Sequence, residues 1–545
     1  MFARVKKAGP HEYLQIVENS RDGKRTVQRV IATVGRMDKI RDKGEIETLV
    51  RSLSRFSEDV LLVLSEKTDA VRAGAKKIGP ALIFERLWKE LQIDTVLYRL
   101  LKDRKFGFDV ERAIFLTVLH RLFASGSDRF CDTWRRDYVI DGVDGLALHH
   151  LYRAMAFLGE EIEDQKDRTL SLRVTKDLIE EDMFHLRQDL FMSLDVVFFD
   201  TTSVYFEGEG GKTLGELGHS KDHRPDLKQM VVGVILDNEG NPVCQEMWPG
   251  NTADVKSLIP VMERLRGRFA IGTFCIVSDR GMVSEETLDY LEKEQIRYIL
   301  GARMRRVKEV KEEVLSRAGR YHEVHPEGVS SKDPSPLKVK EVIVNDHRYI
   351  VCLNTKQAKK DAADRKAIID SLSEKLKTNP KSLVGNKGYR KYLTMHRETI
   401  ALNEEKIEEE TRFDGKWVLK TNTALTAKQV ALKYKELWQV EQVFRDMKSI
   451  LDTRPIFHQR DETIRGHVFS SFLSLVLRKE LDRRLLKAGH DFEWADIKQD
   501  LNALEEITIE DRNKKLAVRT ECRGTCGKVF QAVGVAIPKT IREVS

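Results

Sequence analysis

The alternation of apolar and polar positions changes character along the chain, and each change marks a different kind of structure. Near the start, Tyr13-Leu14-Gln15-Ile16-Val17 and Val27-Gln28-Arg29-Val30-Ile31 alternate with a period of two, as strands do. Ser20-Arg21-Asp22-Gly23-Lys24 supplies a polar turn between them. Residues 40–190 switch to helical spacing. Ile83, Phe84, Leu87, Trp88 and Leu91 recur at i, i+3 and i+4, as do Ala113, Ile114, Leu116, Thr117, Leu119, His120 and Leu122. On such a face His120 reads as a packed or capping histidine, not as a ligand. From 192 to 303 short apolar runs alternate with amphipathic stretches. They predict strands at 196–206, 229–237 and 242–249, a helix at 255–268, a strand at 274–279, a helix at 284–296 and a strand at 297–302. Asp237-Asn238-Glu239-Gly240-Asn241-Pro242 marks a hairpin turn.

Residues 304–410 break this rhythm with a charged run, strands near 337–345 and 347–353, and a highly charged helix near 357–378. A strand returns at Gly415-Lys416-Trp417-Val418-Leu419-Lys420-Thr421-Asn422 and leads into one long helix over Ala427–Leu451. The last segment opens with a helix carrying Val468, Phe472, Leu473, Leu475 and Val476 and ends in a basic, weakly patterned tail.

Composition narrows the class. Hydrophobic residues are 41% of 545 and charged residues 33%, enough for several cores beneath a strongly solvated surface. Lys plus Arg exceed Asp plus Glu by 94 − 87, a formal charge of +7, compatible with a polyanionic partner. Arg4, Lys6, Lys7, Arg21, Lys24, Arg25, Arg29 and Arg36 concentrate that charge near the start, on a face that either meets phosphates or is simply solvated. Six scattered cysteines argue against a disulfide scaffold, and Cys522-x3-Cys526 lacks the second pair a zinc site would need. No apolar run reaches membrane-span length, and the first residues lack a signal-peptide core. The expected location is the cytoplasm, at the nucleoid.

Two acids stand where apolar strands end: Val196-Val197-Phe198-Phe199-Asp200 and Phe274-Cys275-Ile276-Val277-Ser278-Asp279. A third, Glu441, lies on the long helix between Tyr434 and Lys448, each seven residues away. Seven residues are nearly two helical turns, so the three share one face. Trp438 and Arg445 lie close to that face, while Leu437, Val440, Phe444 and Met447 form the packing face. Hard carboxylate oxygens suit a pair of Mg²⁺ ions, with Mn²⁺ as substitute, and such a pair supports phosphoryl transfer on nucleic acid. Taken singly, each acid is also a plausible turn residue or, for Glu441, an i+4 partner of Arg445. Glu207-Gly208-Glu209-Gly210-Gly211-Lys212-Thr213 hints at a phosphate loop, but Phe206 stands where that pattern needs glycine. His219-x3-His223 reads as part of a polar loop beside DNA, with Lys221, Arg224 and Lys228 as phosphate contacts.

The sequence resembles bacterial insertion-sequence transposases of the DDE class, in the insertion-sequence-four superfamily. Their signature Tyr-x2-Arg-x3-Glu-x6-Lys is matched by Tyr434, Glu441 and Lys448, with Leu437 in the arginine position. Asp200-Thr201-Thr202, Asp279-Arg280-Gly281-Met282, Gly250-Asn251-Thr252, Phe413-Asp414-Gly415-Lys416-Trp417 and the loop from Gly218 to Asp226 are similar to family segments. The order three strands, helix, strand, helix, strand is that of the ribonuclease-H-like fold. The expected architecture is therefore α/β: a ribonuclease-H-like catalytic core in two parts, 191–303 and 411–462, interrupted by a β-rich insertion subdomain at 304–410. A basic β module at 1–70, a helical DNA-end-binding region at 71–190 and a helical C-terminal region at 463–545 complete it. The resemblance implies cut-and-paste transposition by a dimer that binds terminal inverted repeats and then target DNA. Asp200, Asp279 and Glu441 would be catalytic and hold the metals. Tyr434, Lys448, Arg445, Trp438, Arg280, Arg224 and Lys228 would contact DNA. The rival readings are a catalytically silent, domesticated DNA-binding protein and a ribonuclease-H-like nuclease without strand transfer; a glycosidase with paired carboxylates is more distant.

Overall fold

The computed structural model describes residues 2–22, 25–42, 73–162, 173–187, 195–269, 271–325, 337–379, 383, 389–396, 399–511 and 514–544. The chain divides into two units. One comprises Leu91–Phe106 and His149–Val476; the other comprises Met1–Glu90, Gly107–Leu148 and Leu477–Ser545.

The first unit is built on a nine-stranded mixed sheet. A helix, α1 (Thr175–Arg187), precedes strands β1 (Val196–Tyr205), β2 (Gln229–Leu236) and β3 (Pro242–Pro249). Then come α2 (Leu258–Arg268), β4 (Cys275–Ser278), α3 (Glu285–Lys293) and β5 (Arg297–Gly301), all close to the predicted bounds. Further strands are β6 (His322–Glu323), β7 (Leu337–Val344), β8 (His347–Asn354) and β9 (Lys416–Thr421). In space the order is β6-β7-β8-β9-β5-β4-β1-β2-β3. β1, β2 and β3 form an antiparallel meander, whereas β1–β4 and β4–β5 pair in parallel. The central strands are apolar throughout because both faces are covered: Val196 to Phe199 and Cys275 to Ser278 are all buried. On one face Val197, Phe199 and Ile276 meet Leu258, Met262 and Leu265 of α2 and Leu291 of α3. Ser284 caps α3 by accepting from the Thr287 amide at 3.1 Å.

β3 is an edge strand, and α1 covers it through a buried ionic network. Lys176 Nζ donates to Asp177 at 2.6 Å and to the Gln245 carbonyl at 2.8 Å. Glu180 accepts from the Gln245 amide at 3.0 Å, and Arg264 of α2 reaches Asp177, Glu180, Glu246 and the same carbonyl. Side chains thus meet the donor and acceptor that a missing neighbour strand would have met.

Residues 304–410 were expected as a subdomain between the two halves of the core. Instead β8 pairs with β9 and β7 with β8, carrying the main sheet outward, and among the described residues of this stretch Leu393–His396 and Thr399–Leu402 form a separate two-stranded ribbon. The apolar faces of β8 and β9 belong to one continuous core with Val342 and Phe413, so no boundary forms between them. The helix expected near 357–378 is Thr355–Thr378, capped by Asn354, whose side chain accepts from the amides of Lys356 and Gln357.

In the second unit the basic start is a three-stranded antiparallel sheet, Phe2–Ala8, His11–Asp22 and Arg25–Arg36. Its first strand was missed because Ala3-Arg4-Val5-Lys6-Lys7 is too polar to show a clear alternation. The turn at 23–24 lies outside the described residues. The helical expectation for 463–545 holds only in part. Asp461–Lys487, Trp494–Asn502 and Cys526–Val533 are helices, but Glu505–Asp511, Lys514–Arg519 and Ile541–Val544 are strands. They form one sheet with Ala73–Lys77, from the start of the region read as helical, which pairs with Glu505–Asp511. A short strand whose partner lies more than four hundred residues away leaves no local signature.

His120 is packed, as expected. It is 1% exposed on helix Val110–Phe123, with Phe130 and Trp134 edge-on to its ring. Burial lowers it to about 4 from the usual 6.5, aided by Arg121. The unfolded chain therefore takes the proton first, and the stability this neutral histidine contributes is lost as pH falls from 6.5 towards 4. Between pH 7 and pH 5 that loss is about 2 kcal/mol. Hydrogen exchange of helix Val110–Phe123 should show it, and His120→Gln should flatten the dependence.

Candidate active site

The parallel pairing of β1 and β4 sets the geometry. Phe199 stands opposite Ser278, so the next residues, Asp200 within β1 and Asp279 just past the end of β4, lie side by side. Ser278 Oγ ties the two ends together by donating to the Phe199 carbonyl at 2.9 Å. Asp200 Oδ1 accepts from the Thr201 amide at 2.7 Å. Burial pushes Asp200 up to about 6, Asp279 and Asp254 add to the rise, and Lys221 and the Thr201 amide oppose it.

Asp254 was not singled out by sequence reasoning. It follows β3, with Thr201 Oγ1 donating to its Oδ1 at 2.7 Å and Lys221 Nζ 3.2 Å from its Oδ2. Lys221 Nζ also donates to the Thr201 carbonyl at 2.7 Å and stands 3.9 Å from Asp200 Oδ1. The only sequence hint was the nearby Gly250-Asn251-Thr252. No spacing rule joins a carboxylate after the third strand to one within the first.

The long helix expected over Ala427–Leu451 is two helices, α4 (Ala427–Lys435) and α5 (Trp438–Ser449). Between them the Leu437 amide bonds to the Tyr434 carbonyl and the Val440 amide to that of Leu437, a tightened i to i+3 turn. Tyr434 and Glu441 therefore do not share one continuous helix face, as the seven-residue spacing had suggested. α4 starts at a capping box of Thr426 and Gln429. Near its end the Tyr434 hydroxyl donates to Asp279 Oδ1 at 3.0 Å. Burial, the Asp279 charge and that bond raise the phenol well above its usual range. Gly301 on β5 makes room for it: a Cβ there would lie 2.7 Å from the Tyr434 oxygen and 2.9 Å from the Arg280 nitrogen. Arg303 braces the same loop, donating to the carbonyls of Arg280 and Gly281.

α5 packs Val440, Phe444 and Met447 inward, as the pattern predicted, together with Val443. Glu441 and Arg445 are exposed, and Trp438 is 60% exposed. Among the described residues Glu441 makes no hydrogen bond or ion pair to Asp200 or Asp279. Lys448 donates to Asp222 Oδ1 at 2.9 Å, and Arg454 lies 3.5 Å from the other oxygen. Burial lowers the Lys448 ammonium although Asp222 opposes this. Asp222 adjoins Lys221, so one loop joins the end of α5 to Asp200. Arg224 pairs with Asp226 and Lys228 with Glu209. The glycine-rich turn after β1 is closed by Asp461, whose carboxylate accepts from the Thr213 amide and hydroxyl at 3.0 and 2.8 Å.

Asp200 within β1 and Asp279 just past β4 thus stand side by side on adjacent parallel strands, and Glu441 lies on a following helix. Residues 192–477 match the transposase DDE domain, just over half of the chain, and the protein belongs to that family. Residues 3–67 match the N-terminal domain of IS1634 family transposases. The chain is an insertion-sequence transposase, an enzyme that cleaves DNA, and its family implies dependence on a divalent metal. No curated protein matches it. Among solved structures it is similar to a piggyBac transposase synaptic complex with hairpin DNA, at 11% identity over 78% of this chain and 79% of that one, with a TM-score of 0.38. No helix among the described residues is long and apolar enough to cross a membrane.

Gly301→Ala should displace Tyr434 from Asp279. We expect a stability loss of about 1–3 kcal/mol from the overpacked contact, read as a shift in denaturant midpoint. Tyr434→Phe should fold with a smaller loss, about 1 kcal/mol. Reduced DNA cleavage in both variants would tie the activity to this hydrogen bond; wild-type cleavage by Tyr434→Phe would dissociate them.

Proposed function

We propose that Asp200, Asp279 and Glu441 are the catalytic acids of this transposase and that they hold two Mg²⁺ ions, with Mn²⁺ able to substitute. The observation that carries this is the β1–β4 register, which sets Asp200, within β1, beside Asp279 at the end of β4. The donor set fits: hard carboxylate oxygens whose burial and mutual repulsion leave Asp200 in want of a cation. We take the meander and its two parallel partners to be a ribonuclease-H-like core. The Tyr434, Glu441 and Lys448 spacing favours the insertion-sequence-four superfamily.

Bound ions would activate a water or a 3′-hydroxyl and stabilise the leaving oxygen. The chain's own part is to fix the ligands. The Thr201 amide holds one oxygen of Asp200, and the Tyr434 hydroxyl holds one oxygen of Asp279. Glu441 stands on α5, which packs against β1. Exposed Arg445 and Trp438, together with Arg280, are placed to meet DNA. Lys448, Arg224 and Lys228 meet phosphates in exchange for their present carboxylate partners. The wider reaction follows as a proposal: a homodimer binds terminal inverted repeats, nicks each end, and uses the freed 3′-hydroxyl on the opposite strand and then on target DNA.

Asp200→Asn, Asp279→Asn and Glu441→Gln should each lower end-specific nicking, with Mg²⁺ or Mn²⁺, by on the order of a thousandfold or more. Gel-shift affinity for the element's own ends should stay near wild type. Near-normal nicking by any one variant would remove that residue from the site. End binding without cleavage by the wild-type protein under both metals would favour the silent DNA-binding reading.

A further inference from the structure

Lys221 has no role in the reading above, yet it is the cation that reaches furthest into the site. Its ammonium donates to the Thr201 carbonyl and hydroxyl, at 2.7 and 3.0 Å. It lies 3.2 Å from Asp254 and 3.9 Å from Asp200. Its backbone is pinned as well, with the Lys221 amide donating to Ser203 Oγ on β1 at 2.8 Å. The side chain is about one-third exposed, so it has somewhere to go. The contacts are unequal. Asp254 and Thr201 hold the ammonium at hydrogen-bond distance, whereas Asp200 holds it by charge alone. Asp254 is in turn fixed by the Thr201 hydroxyl.

We infer that Lys221 is a built-in counter-cation of the metal-free site, parked on Asp254 so that it neutralises Asp200 until a divalent ion takes its place. This rests on Asp200 being a metal ligand, as proposed above. In the metal-free protein the ammonium keeps a crowded carboxylate group tolerable. When an ion binds Asp200, it and the ammonium repel each other, and the weaker contact yields. Asp254 and the Thr201 carbonyl then keep Lys221 within reach of the site. Lys221 is a positioning residue here, and Asp254 acts through it.

The consequence is a change in metal affinity opposite to the usual effect of damaging a site. The probe is Mn²⁺ alone, titrated calorimetrically into the full-length protein without DNA, at a pH of about 8 so that protons compete little. Lys221→Met removes a competing charge and should tighten Mn²⁺ binding about tenfold, the effect of one close charge on a carboxylate. Lys221→Arg keeps the charge and should stay within about threefold of wild type. Asp254→Asn drives Lys221 onto Asp200 and should weaken binding several-fold. The double variant Lys221→Met/Asp254→Asn should bind like Lys221→Met, because Asp254 acts only through the lysine. Thermal unfolding of each metal-free variant confirms that it is folded, and a variant that does not fold leaves the decision to Lys221→Arg and Asp254→Asn, whose expected order is stated above. Unchanged or weaker Mn²⁺ binding by folded Lys221→Met overturns the inference. So does a double variant that has lost binding, which would make Asp254 a ligand in its own right. Asp200→Asn is the control for the underlying reading: Mn²⁺ binding that survives it overturns both.

Discussion

The site depends on keeping Asp200 charged in a place that disfavours charge. A carboxylate in the middle of a central strand loses most of its water, and two others crowd it. Each of these effects favours the neutral acid. The opposing influences are local: the Thr201 amide, the Lys221 ammonium and, in the proposed function, a divalent metal. Much of the surrounding structure serves that balance. Parallel pairing brings Asp279 close, the turn after β3 brings Asp254, and the loop from Gly218 to Asp226 brings Lys221. Had the strands been antiparallel, the two aspartates would have left the sheet at opposite ends, and neither the repulsion nor its remedy would arise.

The same loop gives α5 its anchor. Asp222 accepts from Lys448 and approaches Arg454, whose guanidinium also lies over the Tyr205 ring at the end of β1. Arg224 faces that ring too, so Tyr205 collects cations from two segments. After α5 the chain returns to β1, where Ile456 exchanges backbone hydrogen bonds with Tyr205 and Glu207. The first strand is thus in touch with every segment that carries a candidate functional side chain in α5 or the loop. The broken helix has a related meaning. Because α4 is capped on its own, the Tyr434–Asp279 contact is set by α4, the end of β4 and Gly301 of β5, not by where α5 carries Glu441.

What the sequence disclosed follows the range of the interactions that write it. Runs buried on both faces, such as Val196 to Phe199 and Phe274 to Ser278, are spelled out locally, and their strands fall within a residue or two of the expected bounds. Asp200 and Asp279 were legible because each ends such a run. The helix break at Glu436–Leu437 was not, since both residues are ordinary helix formers and the turn only tightens. Asp254 escaped because its partners, Thr201 and Lys221, are far off in sequence. The strands of the C-terminal segment escaped because their sheet is completed by Ala73–Lys77, far away in the chain. The insertion was recognised as β-rich, but its strands' membership in the main sheet depends on pairing with β9, which lies beyond it in the chain.

That pairing has a consequence for how such a chain can vary. β5 and β9 are neighbours, and Ala302, the first residue after β5, donates its amide to the Val418 carbonyl on β9. The intervening stretch therefore leaves and re-enters the sheet at nearly the same point. The entropy of closing it grows only with the logarithm of its length, about 0.6 kcal/mol for each doubling. Loops between the strands of that stretch can lengthen at little thermodynamic penalty, while the strands that present the aspartates keep their register. The fold thus holds its chemistry on one side of a staple and leaves the other side open to change.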